Sequence, residues 1–172
     1  MRSLVASDRI TNTGYITADA LPGGTGSGGQ ILVIADLNNS SSVAAIDGTL
    51  SAKGGELGGN GGFIETSGSH VQIAETTNIS TNAPKGTGGS WLIDPTDFSV
   101  GGTGSDMSGA TLGSQLNSNN VTIMSSSGAT GTSGNININD SVSWSSAKKL
   151  TLTASNNINI NNAINVPTGG SV

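Results

Sequence analysis

Apolar residues fall at alternate positions in short bursts, and the bursts keep phase with one another along the chain. Ile136, Ile138, Val142 and Trp144 are echoed 22 positions later by Ile158, Ile160, Ile164 and Val166, with Asn137 and Asn139 answered by Asn159 and Asn161 between them. An isolated strand pair has no need of such an echo, whereas a chain that winds in stacked coils does. The stripe Val121 and Ile123 returns as Leu150, Leu152 and Ala154 at an offset of 29, and GGFIETSG (61–68) returns as GGSWLIDP (88–95) at an offset of 27. The inward phase is kept while the offset changes. The excess therefore belongs to NAPKGTG (82–88), GGTGSDMSG (101–109) and SSSGATGTSG (125–134), expected as corner loops on the surface.

The same alternation predicts strands at 15–17, 31–35, 43–46, 49–52, 63–65, 71–74, 78–80, 91–93, 98–100, 121–124, 136–138, 142–144, 150–153, 158–160 and 164–166. Helical spacing is nearly absent; 5–10 and 112–116 admit a turn or two. The strands are too short and too many for a sandwich, whose strands run to about five or six residues. Hairpin dipeptides are few: Asp47-Gly48 lies between two strand candidates and Asn60-Gly61 does not. The pattern fits a parallel β-helix of two or three strands per coil, with seven or eight coils forming a rod roughly 35–40 Å long. The Asn repeats on the outward phase are expected either as a hydrogen-bonded ladder along the stack, at Asn157 and Asn162 in particular, or as corner residues at positive φ.

Composition alone would suggest disorder, with aromatics at 3% and charged residues at 10% of the chain. A net charge of only -5 and the periodic Ile, Val and Leu argue for an ordered β fold instead. There is no cysteine to form a disulfide or thiolate metal site. No apolar run reaches the length of about 18 residues that spans a membrane. Six basic residues and a pI near 4.4 provide no basic stripe for phosphates, so nucleic acid is not an expected partner. MRSLVASDRI has no apolar segment of the signal-peptide kind.

Candidate chemistry is sparse. Gly24, Gly26 and Gly29 spell G-x-G-x-x-G, but a strand follows where a dinucleotide site needs a helix, so a loop is expected. GGTGSDMSG (101–109) resembles one calcium-binding nonapeptide, yet it occurs once and has Ser108 at the aliphatic position. His70 is the only histidine, leaving no transition-metal set and no nucleophile elbow; it is expected on an exposed corner. Asp94 and Asp97 are the one close acidic pair. Glycoside hydrolysis would need two carboxyl groups about 5–9 Å apart, whereas Asp94 before Pro95 fits a corner. Sequons at Asn38, Asn39, Asn78, Asn120 and Asn139 are those an Asn- and Ser-rich chain holds by chance. No catalytic, cofactor-binding or metal-ligating set is assigned, and no enzyme activity is expected.

The stretch GGNGGFIETSGSHVQIAETTNISTNAPKGTGGSWLIDPTDFSV (58–100) resembles the shaft repeats of filamentous-haemagglutinin-like exoproteins, which include the high-molecular-weight adhesins exported by two-partner secretion. The family pattern, G-G-F-[VI]-E-T-S-G, a [VI]-x-[IV] strand, a Gly-rich loop and W-L-[IL]-D-P, is met by Gly61–Gly68, Val71–Ile73 and Trp91–Pro95. LNSNNVTI (116–123), GNININDSVSW (134–144) and LTLTASNNINI (150–160) continue it, so that it covers roughly 29–170 and leaves 1–28 outside. The family's amino-terminal secretion domain, with its N-P-N-G-type motif, has no counterpart here, and Met1 is expected to begin an excised shaft segment. The resemblance implies a right-handed parallel β-helix over 1–172, part of a much larger exoprotein. It implies secretion to the bacterial surface and passage through an outer-membrane transporter, which the lack of cysteine suits. The role implied is a stiff shaft presenting adhesive surface to a host-cell or surface receptor, glycan among the candidates. Two other readings stand beside it: a filament formed by end-to-end strand stacking, and a polysaccharide-active β-helix using Asp94 and Asp97.

Overall fold

The computed structural model of the protein describes residues 1–126 and 134–172. Within them the chain makes six successive passes. The first carries β1 (Arg2–Ala6), β2 (Arg9–Asn12) and β3 (Tyr15–Thr17); the second β4 (Gln30–Ala35), β5 (Val43–Ile46) and β6 (Thr49–Ser51); the third β7 (Phe63–Ser67), β8 (His70–Ile73) and β9 (Asn78–Ser80). The fourth carries β10 (Ser90–Asp94), β11 (Phe98–Val100) and a helix, α1 (Gly109–Leu116). The fifth carries β12 (Asn120–Ser125), β13 (Ile136–Ile138) and β14 (Val142–Ser143), and the sixth β15 (Leu150–Ala154), β16 (Ile158–Ile160) and β17 (Ile164–Asn165).

Every pairing between these strands is parallel. A six-stranded sheet runs β1-β4-β7-β10-β12-β15, beside smaller sheets β2-β5-β8, β3-β6-β9, β11-β13-β16 and β14-β17. Parallel neighbours need a crossover between them. Here the crossover consists of the remaining elements of the same pass, so the fold is all-β apart from α1. Six strands in the longest sheet make five spacings of about 4.8 Å, a height of roughly 24 Å. The expectation of seven or eight coils is corrected to six passes, because the corners take up more of each pass than the strand count implied.

Alternation sets the core. Register places Ile31, Ile64, Trp91, Val121 and Leu150 in one inward column, and Val33, Thr66, Ile93, Ile123 and Leu152 in the next. All but Leu152, which is partly buried, are within 1% of complete burial. Each such aliphatic side chain contributes about 1.5–3 kcal/mol when fully buried. Thr66 is a polar member of these columns, and its Oγ1 accepts from Trp91 Nε1 at 3.1 Å, so the buried indole N–H is paired.

The long sheet is continuous, but the other two faces are interrupted in the fourth pass. Between β8 and β11, residues 101–107 fold back along β11: Ile73 N donates to Asp106 O, Asp106 N donates to Ser99 O, and Met107 is buried. Between β9 and β14 stands α1, N-capped by Ser108, whose side chain accepts from Thr111 N. Leu112 and Leu116, four apart, fill the core. Gln115 and Asn119 face β9 and do the work of a strand. Gln115 Nε2 donates to Thr77 O at 2.7 Å and its Oε1 accepts from Ile79 N at 3.1 Å; Asn119 Nδ2 donates to Ile79 O at 2.9 Å and its Oδ1 accepts from Thr81 N at 2.8 Å. On the opposite side a Cβ on Gly109 or Gly113 would lie 2.2 Å from Ser141 O or Ser143 O, so glycine lets β14 lie directly on the helix backbone.

Several sequence expectations are thereby corrected. Residues 5–10 form the end of β1 and the start of β2 rather than a helical turn. Asp47-Gly48 joins strands of two different sheets and is a corner, not a hairpin. The stretch 101–109 is not simply a surface loop: Gly102, Thr103 and Gly104 are exposed, while Met107 is in the core and Gly109 opens α1. The Trp144–Val166 echo is not a strand pair; pairing ends at Ser143 and Asn165. Trp144 is buried and donates from Nε1 to Lys148 O, whereas Val166 is exposed. The loop expected at 125–134 lies, from 127 to 133, outside the described residues.

Candidate functional site

Asp94 and Asp97 have different partners. Asp97 Oδ1 accepts from Asn135 N at 2.7 Å, tying the fourth pass to the fifth. Asp94 ends β10, and its Oδ1 is buried without a hydrogen-bond partner among the described residues. Desolvation raises the Asp94 pKa above the usual carboxylate range, and the charge of Glu65 raises it further; a hydrogen bond with the Ser126 side chain works the other way. Glu65 in turn accepts from Ser67 Oγ at 2.8 Å. Among the described residues, the side chains that act on Asp94 are those of Glu65 and Ser126.

The remaining candidates fall to structural work. His70 is exposed at the start of β8. Gly24, Gly26 and Gly29 lie in the connection between β3 and β4, with no helix after them. Asp106, the acid of the nonapeptide-like stretch, accepts from both Ser99 N and Ser99 Oγ at 2.8 and 2.7 Å. Among the described residues no group of three or more His, Cys, Asp or Glu is placed to hold a metal, and no helix is long and apolar enough to cross a membrane. Among the sequon asparagines, Asn39 Nδ2 donates to Ser7 O and Asn120 Nδ2 to Gly89 O, while Asn139 Oδ1 accepts from Asn161; Asn38 and Asn78 are exposed. The stretch 82–88 is exposed for the most part and is pinned by Asn60, whose Oδ1 accepts from Thr87 N.

A groove of about 460 Å³ runs along the corner before β4, β7 and β10, lined by three glycine pairs with Gln30, Phe63, Ser90 and Asn120. Its glycines are there for packing. A Cβ on Gly62 would sit 2.0 Å from Gly29 O, and one on Gly89 would sit 1.9 Å from Gly62 O. The Gly29, Gly62 and Gly89 amides donate to Ala18 O, Ala52 O and Thr81 O, which leaves the groove few free donors for a ligand.

An asparagine ladder climbs β13 and β16: Asn159 Nδ2 donates to Asn137 Oδ1 at 2.8 Å, and Asn161 Nδ2 to Asn139 Oδ1 at 2.7 Å. The ladder is thus at Asn159 and Asn161, whereas Asn157 engages through its backbone N–H and Asn162 Oδ1 accepts locally from Ala163 N. None of the described asparagines has positive φ, so their role as left-handed corners is not realised. Beyond the ladder, Ile158 and Ile160 remain 43% and 49% exposed, and at the other end Leu4 is 38% exposed. The amides of Gln115 and Asn119 escaped sequence reasoning; the available signal was two long polar amides four apart beside the Leu112 and Leu116 stripe.

Comparison with family models, with curated proteins and with solved structures found no match.

Proposed function

We propose that the chain is a right-handed parallel β-helix serving as shaft segment of a secreted bacterial adhesin, a rigid element that presents adhesive surface. The observation that carries this reading is the bond from Trp91 Nε1 to Thr66 Oγ1. It joins the two halves of the family-like string: GGFIETSG supplies Thr66 and WLIDP supplies Trp91, with β7 and β10 adjacent in the long sheet. The two segments that carry the resemblance are therefore stacked neighbours with a shared polar contact in the core. Right-handed winding follows the hand of about 98% of parallel crossover connections. Stacked passes also suit a shaft, since each pass buries its stripe against its neighbours and length grows without a larger core. Asp97, one of the two acids a cleaving β-helix would use, is engaged in tying the fourth pass to the fifth through Asn135 N, which favours a structural role over polysaccharide cleavage.

Beads coated with the purified chain are expected to be retained on cultured epithelial cells above beads coated with an unfolded Ile64→Asp, Ile123→Asp variant. Equal retention of the two would remove the adhesive part of the reading. Glycan hydrolysis by the wild-type chain that disappears in Asp94→Asn would replace it with the enzymatic one.

A further inference from the structure

We infer that the stack packs side by side with a second copy of this chain, the corner that carries the lysines of one copy lying against an acidic corner of the next. The contact uses the flanks of the stack, so it holds whatever continues the stack at either end and whether or not the stack serves attachment.

Charge segregates by corner. The corner between the last element of one pass and the first strand of the next is made by 18–29, 52–62, 81–89, 117–119 and 144–149. It holds Lys53, Lys85, Lys148 and Lys149, which are all the lysines of the chain. Lys53 and Lys148 line neighbouring depressions that share Asn82 and Pro84, and Lys85 follows Pro84, so the three belong to one continuous patch. Among the described residues none of the four ammonium groups is hydrogen-bonded or ion-paired. Two acids share the corner: Asp19 accepts from Ser51 Oγ and Lys53 N, and Glu56 is exposed. Four lysines against two carboxylates leave this corner net positive on a chain of net charge -5. The corner also projects as a bonded flange. Leu57 N donates to Gly24 O, Gly54 N to Asn82 O and Gly61 N to Thr87 O, and Leu21 and Leu57 stand 81% and 68% exposed on it.

The corner between the second strand of each pass and its last element is the complement. It carries Asp47, Glu75, Asp106 and Asp140, one on each of the second to fifth passes, and no basic residue. Asp47 accepts from Thr76 Oγ1, Asp106 from Ser99 Oγ and Asp140 from Gly109 N, which fixes three of the carboxylates in place, while Glu75 is exposed. Asp47 and Asp106 border a depression of about 310 Å³ lined in part by Ala45 and Ala74, which suits the leucines of the flange. The levels match. The lysines follow the second, third and fifth passes, and Lys148 reaches back to the corner before the fourth, where a Cβ on Gly88 would lie 2.5 Å from its Nζ. Two copies lying parallel and level therefore bring lysine against carboxylate pass by pass, at a rise of about 4.8 Å each. The remaining corner fits less well. Its acids, Asp8, Asp36, Asp94 and Asp97, leave the third pass empty, and Asp97 is engaged by Asn135 N. Because the two complementary corners differ, the contact is heterologous and repeats from copy to copy into a row. The net negative charge of each copy opposes it, so the association is weak and sensitive to salt.

Sedimentation velocity with two double variants tests the pairing. The wild-type chain is expected to form oligomers that grow with concentration at about 20 mM salt and vanish by about 500 mM, where charges are screened within a few ångströms. Lys53→Glu with Lys85→Glu reverses the lysine corner. Asp47→Asn with Glu75→Lys reverses the acidic one and keeps an acceptor for Thr76 Oγ1. All four positions are exposed, and circular dichroism checks that each variant folds. Each variant alone is expected to stay monomeric at low salt and their equimolar mixture to associate, since each keeps the corner that the other has lost. A wild-type chain that stays monomeric at low salt up to millimolar concentration overturns the inference. So does a mixture that stays monomeric, or either variant associating as the wild type does. Retention of a monomeric wild-type chain on dextran sulfate, lost when the lysines are reversed, would assign the corner to an anionic polysaccharide instead of a second copy. If a double variant fails to fold, Lys85→Glu alone must still lower the oligomer fraction.

Discussion

Replacing Gln115 and Asn119 by leucine tests whether two side-chain amides stand in for a strand. Gln115→Leu leaves Thr77 O and Ile79 N without partners, and Asn119→Leu does the same to Ile79 O and Thr81 N. Gln115 and Asn119 are both buried, as are Thr77, Ile79 and Thr81. Water has little access to repair the loss. Each orphaned group costs about 1–3 kcal/mol, so either variant, with two of them, is expected to lose about 2–6 kcal/mol. Leucine fills most of the vacated volume, which keeps a cavity from being the main cause. Ser114→Ala, on the exposed side of α1, is the control and should stay within about 0.5 kcal/mol of wild type. Urea unfolding gives the stability change, and native-state hydrogen exchange gives its location: the Ile79 and Thr81 amides should lose protection first. If both leucine variants unfold within about 1 kcal/mol of wild type, or if those amides keep their protection, β9 does not depend on α1 and the substitution argument is wrong.

Other outcomes follow from single contacts. Thr66→Val keeps the shape of the column but strands the Trp91 indole N–H, and should cost about 1–3 kcal/mol by denaturant unfolding. Gly89→Ala forces a Cβ onto Gly62 O and is expected to destabilise strongly or prevent folding, whereas Gly102→Ala, with open space around it, should leave the thermal midpoint nearly unchanged. Asp94 binds its proton more tightly folded than unfolded, so its contribution turns increasingly unfavourable as pH rises through the ordinary carboxylate range, and levels off above the raised folded value. Asp94→Asn should therefore be more stable than wild type at neutral pH and lose that advantage in acid; an advantage that persists at low pH would sever the effect from the titration of Asp94.

The inward phase was the legible part of this fold. Wherever Ile, Val and Leu alternate with polar residues, as at 71–73 or 136–138, the strand is where alternation puts it. The first pass broke the pattern because Arg2 and Asn12 occupy inward register, so β1 and β2 went unrecognised and 5–10 passed for a helical turn. The fourth pass was opaque for a different reason. Met107 is a single apolar residue in a Gly/Ser stretch and carries no period, and Gln115 and Asn119 do with side chains what the alternation rule assigns to backbone. The placement of Asp94 and Asp97 on separate tasks also lay beyond sequence spacing, since neither the burial of Asp94 Oδ1 nor the Asp97 bond to Asn135 N can be read from IDPTD.

The fourth pass also divides the molecule mechanically. Parallel ladder bonds point along the stacking axis, so they bear any load applied along it. On one side the six-stranded sheet passes that load through every level. On the other two sides it crosses the fourth level through the amides of Gln115 and Asn119 and through the folded-back segment at 101–107. Pulled from its ends, the stack would open at this level on two sides and pivot about the backbone of the long sheet, so that its compliance is directional: stiff in one plane, hinged in another.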